Sequence, residues 1–526
     1  MIHSEPADMQ PIAVHEITRT SPSQSRFARW THWLTLLLIL IAGGLARFAH
    51  LVRKPFWFDE CFSVELARID WRNFLHLLWW REANMSLYYA LLRIWLHFGQ
   101  SEFFIRSLSV VFALATLPAA YWVARLLYDR RVALGAAALL AINTYHIRYS
   151  QEARSYTLFA LLATLSSGFL VAWLRQPTRR NWRGYGIVSI LAVYAHFYAL
   201  LLLAAHVLTL LWTGLPRPGV DQNERGIPRE LRRPWTAVGI AVLPLLIFVA
   251  KTGAGPIRWI RRPGMTDLLH FSSYFSSGLP LIYLLACLAV LIPLKNRLLA
   301  RDGKWESFRV HFLIIWFLFP VLLTILLSFA RPVFLPRYMI FCLPALLILT
   351  AAGLLSVPPR WLGAILLGGT ILLSARMIPY VYEHDFDTER DASAAACNFV
   401  LDYSRPGDAI LFHVANVRVP YEFFRSLRAG ENTASPNFTR AFGPDIVYPH
   451  HAAGLEYRDF TGKPTAEFVR SVAPKHPRIW LMLMNNGTAD KPDPTTVMLS
   501  EVLLQYFPKM QSWRLARVEV RLYSRE

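Results

Sequence analysis

Two adjacent carboxylates, Asp59 and Glu60, follow the first long apolar stretch of the chain, in the run Lys54-Pro55-Phe56-Trp57-Phe58-Asp59-Glu60. Carboxylates are costly to dehydrate beside a bilayer, and a chain that keeps two there generally uses them. A set of arginines recurs in the same kind of segment, between apolar runs: Arg154, Arg258, Arg261, Arg262 and Arg337. One carboxylate and several guanidiniums suit a lipid phosphate reacting with a hydroxyl. A sugar on a polyprenyl phosphate has a leaving group that is already acidic, so it needs charge neutralisation by Arg or Lys rather than a general acid. The attacking hydroxyl does need a base, and a carboxylate supplies one worth ~10²–10⁴-fold. Neighbouring acids in one segment cannot readily flank a sugar from both sides, so an inverting single displacement fits better than the paired carboxylates of a glycosidase.

The elements that must position these groups are helices in a membrane. The chain has 526 residues, of which 54% are hydrophobic and 17% charged, too apolar for a soluble chain of this length. Its net charge of +20 is spread between apolar runs rather than gathered in a patch, which argues against nucleic acid as a partner. Uncharged apolar runs occupy 30–46, 107–124, 132–147, 155–174, 184–216, 234–250, 271–294, 310–330, 338–359 and 361–375. About 20 helical residues cross a bilayer, so 184–216 is too long for one crossing and reads as two short helices turning at Tyr194–Tyr198. The expectation is a polytopic α-helical membrane protein of about eleven spans, with the last, 361–375, the shortest.

Loop charge sets the orientation. With residues 1–29 as a cytoplasmic tail, the segments 125–131, 175–183, 217–233 and 295–309 are cytoplasmic and rich in Lys and Arg. The loop 51–103, with the acidic pair, then lies outside with 148–154, 251–270 and 331–337, where arginines go against the orientation rule and call for an anion. A cleavable signal peptide is not expected, since no small-residue cleavage site follows the first span. From about residue 379 the composition turns to Asp, Glu, Pro and Asn with short alternating stretches. Ala409–Phe412, Ile479–Leu483 and Arg517–Tyr523 read as strands, and Asp391–Tyr403 and Thr496–Tyr506 as helices. Residues 30–378 are thus expected to form the transmembrane domain and 379–526 a small α/β domain on the external face. The four cysteines have no metal-ligand spacing, and the absence of a DxD or a clustered His/Asp set leads us to expect metal-independent chemistry.

In their order along residues 50–350, FWFDE at 56–60, MSLYYALLRIWLHFGQSEFFIRSLSV at 85–110, YSQEARSYTLFAL at 149–161, YAHFY at 194–198 and LPRYMIFCLPALL at 335–347 carry a resemblance. The sequence resembles the GT-C superfamily of membrane glycosyltransferases, specifically the protein O-mannosyltransferase-like family 39, which includes the lipid A aminoarabinose transferases. The resemblance implies that Asp59, the acid of the first external loop, is the catalytic base, with Glu60 beside it. It implies that Arg154 and Arg337 hold or shape the donor-phosphate site, and that the external C-terminal domain helps to admit the acceptor. It departs at Asn84-Met85-Ser86-Leu87-Tyr88-Tyr89, where relatives often read His-Pro-Pro-Leu-Tyr-Tyr, so the imidazole and both prolines are missing here.

Each residue also has a plainer role. Asp59 is placed to cap a helix. Glu60 is open to orienting a substrate, pairing with an arginine or capping the same helix. Arg154 has Glu152 and Glu102 as possible partners, and Arg337 sits where arginines snorkel. Arg258 stands in a Gly- and Pro-flanked loop and reads either as a donor clamp or as a headgroup contact. His196, at the turn of the 184–216 run, is a structural histidine or a sugar contact. Tyr88 and Tyr149 are belt residues or ligands. The combined expectation is a transferase of the bacterial inner membrane, with its N-terminus cytoplasmic and its C-terminal domain periplasmic. It would take a polyprenyl-phosphate-linked sugar and pass it to an envelope acceptor. The alternative is a flippase for lipid-linked sugars, which would show internal repeats and charges in mid-span; neither is evident.

Overall fold

The computed structural model describes residues 22–214, 229–253, 260–298, 304–383, 388–429, 443–449, 462–484, 487–488, 491–515 and 518–526. Its helices begin with α1 (Pro22–Phe48), the short helices α2 (Phe58–Arg68), α3 (Trp71–Trp80) and α4 (Ser86–Trp95), then α5 (Glu102–Leu127) and α6 (Arg130–Ile142). They continue with α7 (Thr144–Ser150), α8 (Tyr156–Arg175), α9 (Arg179–Ala195), α10 (Ala199–Thr213), α11 (Arg229–Thr252), α12 (Met265–Phe275) and α13 (Pro280–Leu298). After these come α14 (Lys304–Ala330), a 3₁₀ turn at Pro336–Cys342, α15 (Leu343–Ser356), α16 (Arg360–Arg376) and α17 (Ile378–Glu383).

The chain is a multi-pass membrane protein. Among the described residues seven helices are long and apolar enough to cross a membrane, or eight if the pair Met265–Phe275 and Pro280–Leu291, bent by 73°, is one span. The expected count of eleven is not reproduced by helix length. Helices α6, α9 and α10 have 13, 17 and 15 residues, short of the ~20 that cross a bilayer. The apolar run 132–147 is interrupted because Asn143 stops α6 and caps α7, its side-chain oxygen accepting from the His146 amide at 2.9 Å. The 184–216 run breaks at His196–Tyr198, between α9 and α10. The last run is longer than expected: with α17 it makes an apolar stretch of 24 residues, Arg360–Glu383.

Helices α5 and α8 form the centre, with α1 and α6 packed on α5, and α9 and the 336–342 turn packed on α8. Close approach is set locally by small residues. Gly353 on α15 faces the Ala286 carbonyl of α13 so tightly that a Cβ would lie 1.8 Å from that oxygen. Buried polar side chains tie the joints. Arg47, fully buried at the end of α1, donates to the carbonyls of Gly43, Leu140 and Ala141 at 2.7–3.0 Å and contacts His146 Nδ1 at 2.8 Å.

After α18 (Thr388–Tyr403) the chain builds an α/β unit with α19 (Arg418–Arg428) and strands β1 (Ala409–His413), β2 (Asp445–Tyr448), β3 (Arg478–Met484), the short pair β4 (Gly487–Thr488) and β5 (Lys491–Pro492), β6 (Lys509–Leu515) and β7 (Val518–Ser524). The main sheet has the order β2-β1-β3-β7-β6; β1, β2 and β3 are parallel, and β7 runs antiparallel to β3 and β6. Alternation along β1 and β3 feeds two cores. Ile410, Phe412, Trp480 and Met482 face the core shared with α18 and α19, whereas Ala409, Leu411, Ile479 and Leu481 meet Val469, Leu499 and Leu503 on the other face. The outer surface of α19 packs against α2, so the α/β unit rests on the segment that carries Asp59.

Candidate active site

The site is assembled from three segments, each with its own anchors. The first is 51–63. Arg106, near the start of α5 and 1% exposed, donates to the carbonyls of Leu51, Lys54 and Pro55 at 2.7–3.2 Å. The same guanidinium grips Glu60 through both carboxylate oxygens, at 2.8 and 2.7 Å. Glu60 Oε1 also accepts the Ala153 amide at 2.9 Å, which ties the second segment to the first.

That second segment, 151–155, is held from the other side by Gln151, which donates to the carbonyls of Arg47 and Ala49 at 3.0 and 2.8 Å. It presents Arg154, whose Nη1 donates to the Asp59 carbonyl at 3.3 Å, to Ser63 Oγ at 3.2 Å and to Tyr89 Oη at 3.2 Å. The third segment, 331–337, is fixed by Ser328, which accepts from the amides of Val333 and Phe334 at 3.0 and 2.8 Å, and by hydroxyls of Tyr198 and Tyr145 on the carbonyls of Val333 and Pro336. It ends on Arg337.

These segments converge on Asp59. Its Oδ2 lies 3.8 Å from Arg154 Nη2 and 3.6 Å from Arg337 Nη2. Those are ion-pair separations, longer than hydrogen bonds, so neither guanidinium is locked on the carboxylate. Asp59 stands in the first turn of α2, where the helix dipole favours a negative charge. Aromatic rings wall the cluster: Arg337 Cζ is 5.2 Å from the Trp57 ring centre and 6.0 Å from that of Tyr156. Glu82 belongs here too. Burial pushes its carboxyl up to about 7 against the opposing pull of Arg154, and the Asp59 charge adds to the rise. Two guanidiniums, one carboxylate and a Glu82 that is largely protonated below that pH leave one net positive charge, matched to a phosphodiester monoanion.

The structure brings Asp59, Arg154 and Arg337 together, and the other candidates make the following contacts. Glu60 is 0% exposed and bonded as described, so its carboxylate faces Arg106 rather than the cluster. Tyr88 is buried, its hydroxyl on Ser109 Oγ at 2.9 Å, and Ser109 in turn donates to the Arg154 carbonyl at 3.2 Å. Tyr149 packs edge-on against Tyr145 and Tyr156, with centroids 4.8 and 5.4 Å apart. His196 stacks on Phe159 at 5.1 Å and lies 4.5 Å from Tyr338; its Nδ1 accepts the Tyr198 amide at 3.2 Å, and its buried Nε2 has no partner among the described residues. Arg258 lies outside the described residues, while Arg261 and Arg262 are exposed. Asn84 Oδ1 accepts the Phe197 amide at 3.0 Å, and Met85 adopts a left-handed conformation with φ 67°. Among the described residues no three His, Cys, Asp or Glu side chains converge as a metal site.

Sequence alone missed Ser63, Glu82 and Arg106, and read Tyr89 as a belt residue rather than a partner of Arg154. Ser63 is one helical turn from Asp59, a spacing that could have flagged it. Glu82 has no local signal, because its role depends on the fold bringing 82 beside 154.

Residues 86–225 match the family model described as dolichyl-phosphate-mannose-protein mannosyltransferase. No curated protein matches the sequence. Among solved structures, the chain is similar to ArnT from Cupriavidus metallidurans in the apo state, with a TM-score of 0.60 at 13% identity over 95% of this chain and 99% of that one. It is similar to the same protein bound to undecaprenyl phosphate, with a TM-score of 0.58 at 12% identity over 94% and 98%. The Archaeoglobus fulgidus oligosaccharyltransferase tethered with an acceptor peptide containing the NVT sequon gives 0.50 at 12% identity over 87% of this chain and 69% of that one. The fold is therefore the one these membrane proteins share.

Proposed function

We propose that this protein is an inverting glycosyltransferase that moves a sugar from a polyprenyl-phosphate donor to an acceptor hydroxyl at the external membrane face. The observation that carries the proposal is Asp59, set 3.6–3.8 Å from two guanidiniums that it does not saturate. Asp59 takes the proton of the acceptor hydroxyl as its oxygen bonds to the anomeric carbon. The bond from that carbon to the phosphate oxygen breaks, and polyprenyl phosphate leaves with its added charge facing Arg154 and Arg337. Stabilising that developing charge with preorganised donors is worth ~10²–10³-fold per donor. The arginines supply the charge that a divalent ion supplies in other phosphoryl sites, so the transfer is metal-independent. The mannosyltransferase family match over 86–225 and the fold shared with a protein that binds undecaprenyl phosphate both favour a lipid-linked donor. A bacterial inner-membrane setting, with the acceptor an envelope lipid, protein or glycan, fits the same reading.

The test is transfer by the purified protein in liposomes, with a panel of radiolabelled polyprenyl-phosphate sugars and envelope extract, with and without EDTA. Label moving from lipid to acceptor, unaffected by EDTA, is expected. Label that crosses the bilayer still attached to its lipid would replace transfer with flipping.

A further inference from the structure

The α/β unit does more than stand on the membrane domain: one face of α19 holds the segment that carries Asp59. Phe423 stacks flat on Phe56, with ring centroids 4.9 Å apart and planes within 4°, and both side chains are fully buried. Phe56 in turn lies under Arg106, whose Cζ is 4.5 Å from its ring centre. Three residues further along α19, and so on the same helix face, Ser426 Oγ accepts a hydrogen bond from Arg68 Nη1 at 3.0 Å. Arg68 closes α2, bonds Glu65 at 3.0 Å and Gln100 at 3.1 Å, and lies 5.8 Å from the Phe423 ring. The chain just before Asp59 and the far end of its helix therefore both rest on α19. Arg106 fixes the 51–55 backbone from the α5 side, but the Phe56 ring needs a second surface, and Phe423 supplies it.

We propose that Phe423 of the α/β unit is a positioning residue, acting through Phe56 to hold Asp59 at its working distance from Arg154 and Arg337. The proposal rests on Asp59 being the base. It assigns the C-terminal unit a part in the chemical step, beyond admitting an acceptor. A base displaced by about 1 Å costs on the order of 10²-fold in rate, whereas donor affinity, carried by the two arginines, is largely kept. Loss of Phe423 is thus a loss in kcat rather than in KM for donor.

Phe423→Ala, Phe423→Tyr and Leu499→Ala separate this from general damage to the unit. Leu499 is buried on the opposite face of the sheet and does not touch α2. Hydrogen–deuterium exchange of residues 54–63 reads the mechanical link without any substrate, and donor turnover reads its consequence. Phe423→Ala should speed exchange across 54–63 at least about tenfold and lower kcat ~10–100-fold, with KM for donor within about threefold of wild type. Phe423→Tyr, which keeps the ring, should restore both, and Leu499→Ala should leave both near wild type. Unchanged exchange across 54–63 in Phe423→Ala overturns the proposal, as does faster exchange with wild-type kcat, or a Leu499→Ala variant that behaves like Phe423→Ala. Absence of transfer by the wild type would instead overturn the reading of Asp59 as a base, and the exchange data would still decide the mechanical link.

Discussion

Replacing Glu60 by Gln separates the two neighbouring acids by what each one costs. Glu60 and Arg106 are 0% and 1% exposed and share two hydrogen bonds of 2.8 and 2.7 Å, with a third from the Ala153 amide at 2.9 Å. The Gln variant keeps one acceptor oxygen but points an amide N–H₂ at Arg106 Nη2 and leaves the guanidinium charge unpaired in the interior. Breaking a buried pair from one side costs ~3–5 kcal/mol. Arg106 keeps its bonds to the carbonyls of Leu51, Lys54 and Pro55, so the lower end, about 3 kcal/mol, is expected. Against a total stability of ~5–15 kcal/mol that is a large share. By contrast the Asp59 ion pairs are long, at 3.6 and 3.8 Å, and its side chain is 19% exposed, so Asp59→Asn should cost less than Glu60→Gln. Thermal unfolding followed by tryptophan fluorescence in detergent, with size exclusion to check monodispersity, gives the comparison. Glu60→Gln should melt well below Asp59→Asn, and adding Arg106→Gln should not restore it, because the carbonyls of Leu51, Lys54 and Pro55 then lose most of their donors. A Glu60→Gln protein that melts like wild type yet transfers no sugar would refute this reasoning and return Glu60 to the chemistry.

Other substitutions probe the rest of the account. Arg337→Ala should raise donor KM and lower kcat/KM by ~10²–10³-fold in steady-state assays, with Arg337→Lys intermediate; an unchanged kcat/KM would remove Arg337 from the phosphate site. Glu82, pushed up to about 7, should ionise as the medium passes neutrality and cancel the net positive charge of the cluster, so donor KM should rise above about pH 7 in wild type but stay flat in Glu82→Gln. A raised folded-state value also means that the stability linked to Glu82 is fully present below its unfolded pKa of about 4.5 and is lost as pH rises through about 7. Gly353→Ala should destabilise the α13–α15 contact by at least ~1–3 kcal/mol in the same melting assay, because a Cβ there meets the Ala286 carbonyl at 1.8 Å.

How far the sequence reveals this molecule depends on where each signal is written. Strands β1 and β3 could be read because both of their faces are buried, which makes Ala409–Phe412 and Ile479–Leu483 continuous apolar runs. The edge strand β6 was not read, since Lys509–Leu515 is mostly exposed and carries no alternation. Helix α19 was missed for the opposite reason: its Arg418 and Glu422 look like solvated charges, yet they pair with each other in the interior. The count of eleven spans is not confirmed, and at Asn143 one polar residue divides a run that hydropathy treats as continuous. In the site, Asp59, Arg154 and Arg337 stood out because charge on an apolar chain must be explained. Arg106 did not, because it opens an apolar run and looks like an ordinary helix-end anchor, and Glu60 could not be assigned without it. Partnership across 46 residues of chain is a property of packing, which local sequence does not record.

The most direct test compares sugar transfer by wild type and Asp59→Asn, purified side by side and matched for melting temperature, with the donor found active in the liposome panel. Asp59→Asn is expected to bind donor with near wild-type affinity and to transfer at least ~100-fold more slowly. Transfer by Asp59→Asn at the wild-type rate would contradict Asp59 as the base, leaving the two arginines facing a carboxylate with no part in the reaction.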